Sequence, residues 1–279
     1  MIKACVIGWP ISHSRSPLIH GYWLKQNGID GSYVRQPVEP SELDAFIANL
    51  ASAGLAGCNV TIPHKEAVFD LVTRADESTE RLGAVNTVYL REGKLLGTNT
   101  DGEGFLNNLR SAAPRLALAN GRAVVLGAGG ASLAVVNTLL EQGASEVAVA
   151  NRTREKAEQL RRRFGKRVMA IDWARAGDHL GECSLLANTT SLGMKGQPEL
   201  AIDLSRLPGT AIVTDIVYTP LRTKLLSDAA ARGNLVVEGL GMLLHQAVRG
   251  FALWFGVTPQ VTGELHDLVA RDIDPDFKP

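Results

Sequence analysis

Four short polar strings in the first hundred residues carry side chains poorly suited to packing and well suited to holding a small oxygenated molecule. GWPISHSRSPLIH (8–20) places Ser14 and Ser16 in a loop leading to a helix, where hydroxyls suit a carboxylate. Capping that helix is the plainer use of either serine alone. NVTIPHK (59–65) has Thr61 at a strand end and Lys65 in the first turn of a helix. The positive end of a helix dipole disfavours a cation, so Lys65 calls for a chemical reason. GAVNT (83–87) interrupts an apolar strand with Asn86, and GTNTDGEG (97–104) sets Asp101 between Gly97 and Gly102. A lysine ammonium can hydrogen-bond a carbonyl oxygen and then deliver its proton, acting as base in the reverse direction. The plainer reading of Lys65 and Asp101 is a surface ion pair worth little to stability. No metal constellation accompanies them: the six histidines contain no HExxH pairing, and His64 has no partner at ligand spacing.

A second kind of chemistry is written at VVLGAGGAS (124–132), which follows a strand and opens a helix. Gly127 permits the tight turn, Gly129 lets the backbone approach a pyrophosphate, and the helix N-terminus offers unpaired N–H groups. The third glycine of the usual fingerprint is replaced by Ser132. In NAD enzymes an acid about 20 residues further on takes the ribose 2′-hydroxyl. Here the second strand ends in Asn151-Arg152-Thr153-Arg154. An acid would repel a 2′-phosphate, whereas a guanidinium can grip it in a fork. Exposed arginines at a helix start are otherwise an awkward choice beside its dipole. The expected cofactor is therefore NADP.

These groups need elements to position them. In the first half ACVIG (4–8), SYVRQPV (32–38) and Cys58 to Ile62 read as strands, and Pro17 to Lys25 reads as a helix. Ser41 is expected to cap a helix carrying Leu43, Phe46, Ile47 and Leu50, and Pro63 to sit in the first turn of another. AVNTVYL (84–90) and KLLGT (94–98) form a hairpin about Glu92-Gly93. In the second half RAVVLGAGGAS (122–132), EVAVANRT (146–153), CSLLANTT (183–190), AIVTDIVY (211–218) and NLVVEGLG (234–241) alternate with helical segments, one running to Phe164. Such alternation predicts a parallel sheet covered on both faces. The expected fold class is α/β with two domains. One is an N-terminal α/β domain with a mixed sheet (1–104, completed by helices in 241–279). The other is a Rossmann-type NADP-binding domain with a doubly wound parallel sheet (105–240). Residues 111–120 look like the crossing between them. Leu244, Val248, Phe251 and Phe255 form a core-facing helical stripe from which Gln246 projects away.

Bulk properties exclude several classes. Of 279 residues, 29 are basic and 29 acidic, so the net charge of zero lacks the footprint of a dedicated nucleic-acid binder. Arg161, Arg162 and Arg163 read as the solvated end of a helix. Cys5, Cys58 and Cys183 are few and widely spaced, which suggests buried free thiols rather than disulfides or a zinc knuckle. No apolar stretch approaches the roughly 20 residues of a membrane span, and the N-terminus has no signal-peptide pattern. The expectation is a soluble, cytoplasmic protein with a small-molecule substrate, no nucleic-acid or membrane partner, and a monomeric or homodimeric state.

Taken in order, the four polar strings resemble the shikimate dehydrogenase family. The resemblance continues through GAGGAS, NRT, NTTSLGM (188–194), DIVYTP (215–220) and GLGMLLHQA (239–247), so it spans almost the whole chain. It implies NADPH-dependent, reversible reduction of 3-dehydroshikimate to shikimate in the chorismate pathway. By this resemblance Ser14 and Ser16 hold the substrate carboxylate, while Thr61, Asn86 and Asp101 bind ring hydroxyls. Lys65 and Asp101 form the catalytic pair, with Asp101 mainly orienting the lysine. Tyr218 and Gln246 meet the substrate from its other side. Gly127, Ala128, Gly129, Gly130 and Ala131 hold the pyrophosphate, and Asn151, Arg152, Thr153, Arg154 and Lys156 the 2′-phosphate. Ile216 and Gly239 line the nicotinamide, and Glu77 is a further cofactor position. Two alternatives stay open: a quinate/shikimate or aminoshikimate-type paralogue, and a non-catalytic NADP(H)-responsive regulator on the same scaffold.

Overall fold

A computed structural model describes residues 1–114 and 116–278. The chain divides into two compact units: Met1–Asp101 with Leu244–Val269, and Gly102–Leu243 with the residues from Ala270 on. The divisions expected from the sequence lie at 104/105 and 240/241. Of the segment 111–120, position 115 lies outside the described residues and the rest falls inside the second unit, where the helix that begins at Asp101 runs on unbroken to Ala112.

The first unit is built on strands β1 (Ile2–Gly8), β2 (Gly31–Pro37), β3 (Leu55–Val60), β4 (Thr73–Arg74), β5 (Thr87–Arg91) and β6 (Lys94–Thr98). Their order is β2-β1-β3-β5-β6-β4. β1 runs parallel to β2 and β3, while β5 is antiparallel to β3 and β6, so the sheet is mixed. Helices α1 (Ser16–Gln26), α2 (Leu43–Ala48), α3 (Lys65–Leu71) and α4 (Glu77–Leu82) join them. One core gathers Ile7 and Val60 from the parallel strands, Val88 from the hairpin, and Leu43, Ile47 and Val68 from α2 and α3. The hairpin turns at Glu92 and Gly93, both at positive φ, as an Asp-Gly-like pair requires.

Three local expectations are corrected. Glu39, not Ser41, caps the turn before α2, because Pro40 occupies the first helical position and Glu42 closes a capping box back to Glu39. β3 ends at Val60, and Thr61 to His64 form a turn closed by the His64 N–H on the Thr61 carbonyl (2.9 Å). Pro63 therefore lies in that turn, and α3 starts at Lys65.

The second unit contains α5 (Asp101–Ala112, from Gly102 on), β7 (Arg122–Leu126), α6 (Gly130–Glu141), β8 (Glu146–Asn151), α7 (Arg154–Phe164), β9 (Val168–Asp172), β10 (Cys183–Asn188), β11 (Ile212–Asp215), α8 (Lys224–Ala231) and β12 (Val236–Val237). All six strands are parallel in the order β12-β11-β10-β7-β8-β9, the doubly wound Rossmann arrangement. Alternate residues of β7 face opposite sides: Ala123 and Val125 pack with α6, while Val124 and Leu126 join Leu186, Val213 and Leu226. β9 was not anticipated; its VMAID is a short apolar run whose period does not separate strand from helix. Arg161, Arg162 and Arg163 occupy the exposed last turn of α7.

Two later helices, α9 (Gly239–Phe255) and α10 (Gly263–Ile273), complete the chain. From Leu244 on, α9 belongs to the first unit, and Leu244, Phe251 and Phe255 are buried there. All three cysteines are buried free thiols. Among the described residues no helix is long and apolar enough to cross a membrane.

Under α1 lies a nest of rings. His20 is fully buried, stacked 3.9 Å from the Tyr33 ring and flanked by Trp23, Phe251 and Trp254. Neither ring nitrogen has a hydrogen-bond partner. Burial pushes its pKa down to about 3, with Asn59 opposing. The unfolded chain takes up this proton below about pH 6.5 and the folded protein does not until about pH 3, so stability falls as pH drops through that window. Urea unfolding should show wild type losing on the order of 2–3 kcal/mol relative to His20→Leu between pH 6.5 and 4.5. Parallel pH slopes for the two proteins would refute this.

Candidate functional site

In the first unit three of the four polar strings meet at the Asp101 carboxylate. Its Oδ2 lies 2.6 Å from Lys65 Nζ, and its Oδ1 accepts a 2.7 Å hydrogen bond from Asn86 Nδ2. Asp101 is largely buried while the Lys65 side chain keeps 27% of its surface, so the ammonium is held from within and presented outward. Lys65 is placed by the Val85 N–H, which donates to its carbonyl (2.8 Å) and ties the start of α3 to the GAVNT segment.

Asn86 is the hub beneath this pair. Its Oδ1 accepts from Thr87 Oγ1 (2.9 Å), Thr100 N (2.9 Å) and Thr100 Oγ1 (3.1 Å), which fixes the amide so that Nδ2 faces Asp101. Thr100 Oγ1 also donates to the Gln246 carbonyl (2.8 Å), which anchors α9 at the residue expected to reach substrate. Asn59 Nδ2 bonds the Asn86 carbonyl and Thr87 Oγ1, and Asn59 Oδ1 accepts from Tyr33 Oη at 2.5 Å. Asn99 Oδ1 accepts the Asp101 N–H (3.0 Å), and the Asn99 N–H donates to Thr79 Oγ1. Thr79 in turn donates to Asp76, whose carboxylate also receives Thr98 and faces Arg249. Those hydrogen bonds and Arg249 hold the Asp76 pKa below the usual carboxylate value against the opposing effect of burial, the largest single influence. None of Asn59, Thr87, Asn99, Thr100 or Asp76 was singled out from the sequence. The available signal was the density of Asn and Thr on strands with buried neighbours.

Ser14 and Ser16 sit where β1 gives way to α1: the Ser16 N–H donates to Ser14 Oγ (3.3 Å), and Arg35 holds the Ser14 carbonyl. Thr61 lies at the same end of the sheet, its N–H on the Ile7 carbonyl. Glu77 stands apart from the cluster, its carboxylate turned outward at 3.7 Å from Arg81.

The second unit carries a cradle at the C-terminal ends of its strands. Gly127 has φ +111°, and a Cβ there would meet Thr189 Oγ1 at 2.7 Å. Around Gly129 and Gly130 a Cβ would meet nothing, so the turn leaves open space before the N-terminus of α6. Ser132 replaces the fingerprint's third glycine without crowding. Fully buried, it accepts the Gly129 N–H (3.1 Å) and contacts Thr189 Oγ1 (2.7 Å). Asn151 links the turn to the next strand: its Oδ1 accepts the Ala128 N–H (3.2 Å) and its Nδ2 donates to the Thr153 carbonyl (2.8 Å). Arg152, Thr153, Arg154 and Lys156 are all exposed. An open glycine turn at a helix N-terminus, beside exposed cations at the end of the second strand, fits a dinucleotide carrying a 2′-phosphate.

At the end of β11, Asp215 Oδ1 accepts from Asn188 Nδ2 (2.9 Å) and the Val217 N–H (3.0 Å), and Oδ2 accepts from Thr223. Burial raises its pKa to about 6 against those hydrogen bonds. This braces the segment bearing Ile216 and Tyr218. A Cβ on Gly239 would lie 2.6 Å from the Ile216 and Val217 carbonyl oxygens, so the start of α9 is packed against the same backbone.

A Rossmann sheet with a basic segment at the end of its second strand, in a chain that also presents a lysine on a carboxylate, defines a nicotinamide-dependent dehydrogenase class. Comparison with known proteins narrows the class. The shikimate dehydrogenase substrate binding domain matches residues 6–88, shikimate/quinate 5-dehydrogenase residues 110–193, and the shikimate 5′-dehydrogenase C-terminal domain residues 239–262. Shikimate dehydrogenase (NADP(+)) of Azorhizobium caulinodans is 54% identical over 273 residues, covering 98% of this chain and 97% of that one. The shikimate 5-dehydrogenase of Thermus thermophilus, solved with NADP(H) and shikimate, superposes with TM-score 0.86 at 35% identity, over 98% of this chain and 100% of that one. Quinate dehydrogenase of Corynebacterium glutamicum, solved with NAD, gives TM-score 0.88 at 30% identity, over 96% and 98%. The chain belongs to the shikimate dehydrogenase family.

The cradle yields a test. Gly127→Ala forces a side chain into a positive-φ turn against Thr189, and should cost about 1–3 kcal/mol of stability. It should also weaken dinucleotide binding, read by titration against NADP. Wild-type affinity in a folded variant would show that this turn is not the cradle.

Proposed function

We propose that the protein catalyses the reversible, NADP(H)-dependent reduction of 3-dehydroshikimate to shikimate, a step of the chorismate route to aromatic amino acids. The observation that carries this reading is the Lys65 ammonium, held 2.6 Å from Asp101 in a chain of this family. When bound, NADP(H) supplies or accepts the hydride.

The chain's own groups handle the rest. Lys65 has three N–H donors and Asp101 occupies one, which leaves donors for a substrate oxygen. In reduction Lys65 gives that oxygen a proton; in oxidation it takes the proton back. Asp101 orients the ammonium and offers acceptor capacity to a neighbouring hydroxyl. Asn86 uses one N–H on Asp101, so its second is available to a ring hydroxyl, alongside Thr61. Ser14 and Ser16 take the carboxylate, and Tyr218 and Gln246 complete the substrate contacts. On the cofactor side Gly127 to Ala131 receive the pyrophosphate, Asn151 to Lys156 the adenosine ribose with its 2′-phosphate, and Ile216 and Gly239 the nicotinamide. Glu77 is a cofactor contact by resemblance alone. Free buried cysteines suit a reducing cytoplasm, and each chain holds both units, so a monomer or a homodimer suffices.

The likeness to a quinate dehydrogenase supports a second reading, a broader cyclic hydroxy acid specificity. Initial rates with shikimate and quinate, each under NADP and NAD, separate the two. Shikimate with NADP should be the fastest pair, and a faster rate for quinate would favour the second reading. Lys65→Ala should lower kcat on the order of a hundredfold or more with little change in KM for shikimate. Undiminished turnover in that variant would remove Lys65 from the chemistry.

A further inference from the structure

The two arginines of the NRTR segment stand in different electrostatic company. Asp172 closes β9 and is the register partner of Asn151 at the end of β8. The acid that takes a ribose 2′-hydroxyl in NAD-binding sheets ends the second strand, where Asn151 stands here, and Asp172 sets a carboxylate one strand away from that place, close enough to repel a 2′-phosphate. Asp172 is half exposed, so its charge acts on whatever sits beside Asn151. Arg154 covers that charge: its Nη1 lies 2.5 Å from Asp172 Oδ1, and its Nη2 reaches Glu158 at 3.7 Å. The hydrogen bond to Asp172 is the chief cause of a raised Arg154 pKa. Arg152, by contrast, is exposed and engages no side chain among the described residues. One arginine is committed to two acids, and the other is open to a phosphate.

We propose that Arg154 sets cofactor choice indirectly, by masking Asp172, while Arg152 and Lys156 receive the 2′-phosphate itself. This rests on the NADP reading given above. Without Arg154 the Asp172 carboxylate stands bare at the ribose edge. It then disfavours a phosphate dianion and accommodates a hydroxyl, which moves preference from NADP toward NAD. Arg154 is on this account a specificity residue that acts through another side chain, and its effect should vanish when Asp172 carries no charge.

A double-mutant cycle tests this with binding and kinetics together. Affinities for adenosine 2′,5′-bisphosphate and for adenosine 5′-monophosphate are measured by calorimetry on the full-length wild type, R154A, D172N and R154A/D172N. The NADP:NAD ratio of kcat/KM is taken on the same proteins. R154A should weaken the bisphosphate on the order of tenfold while the monophosphate stays within about twofold, and the kinetic ratio should fall in step. The double variant should regain most of the lost affinity. A double variant as weak as R154A would make Arg154 a direct phosphate ligand and overturn the masking role. Equal loss for both nucleotides in R154A would do the same, by pointing to local collapse. Equal affinity of the wild type for the two nucleotides would instead overturn the 2′-phosphate reading, and masking with it.

Discussion

The division of one carboxylate between two partners governs the first unit. Asp101 gives Oδ2 to Lys65 and Oδ1 to Asn86, and each partner is itself fixed from behind. A buried carboxylate with a single partner would leave lone pairs unsatisfied at a cost of a few kcal/mol. The protein avoids that cost with a relay of amides and hydroxyls: Asn86, Thr87 and Thr100 on one side, and Asn99, Thr79 and Asp76 on the other. The relay reaches β3 through Asn59 and α9 through the Gln246 carbonyl and Arg249. Because such networks are satisfied jointly, the lysine's position is a property of the whole set rather than of one contact.

The second unit solves a different problem, that of keeping a glycine-rich turn open yet rigid. Backbone freedom at Gly127 admits the turn, and Ser132 with Thr189 then removes the freedom left over. Where the usual fingerprint relies on a third glycine for close helix–strand contact, this chain uses a hydroxyl small enough to be buried and polar enough to hold the Gly129 N–H. Asp215 performs a comparable service at the neighbouring strand ends, linking Asn188, Val217 and Thr223 through one carboxylate.

Much of this was legible in the sequence, for identifiable reasons. Lys65, Asn86 and Asp101 stood out because each is a polar group where packing alone would choose otherwise. The parallel sheet followed from apolar runs alternating with helical stripes. What escaped was set by partners distant in sequence. Asn59 and Thr100 matter only once they are brought beside Asn86, 27 and 14 residues away in the chain. The pairing of Arg154 with Asp172 needs β9, a strand whose five residues lack a decisive period. Ser41 misled because a serine before an apolar stripe is the usual cap, while Pro40 had already claimed the first helical position for Glu39.

Asn151 has a consequence of its own. Its two amide atoms grip the Ala128 N–H on one side and the Thr153 carbonyl on the other, so one short rigid side chain spans the glycine turn and the basic segment. The unit thereby contains a ruler: the spacing between its two anion-seeking stations is set by an amide's width rather than by loop conformation. On the proposed cofactor reading, a dinucleotide lying across both stations meets a fixed span, and the calibration resides in a residue whose polar group points at the protein itself.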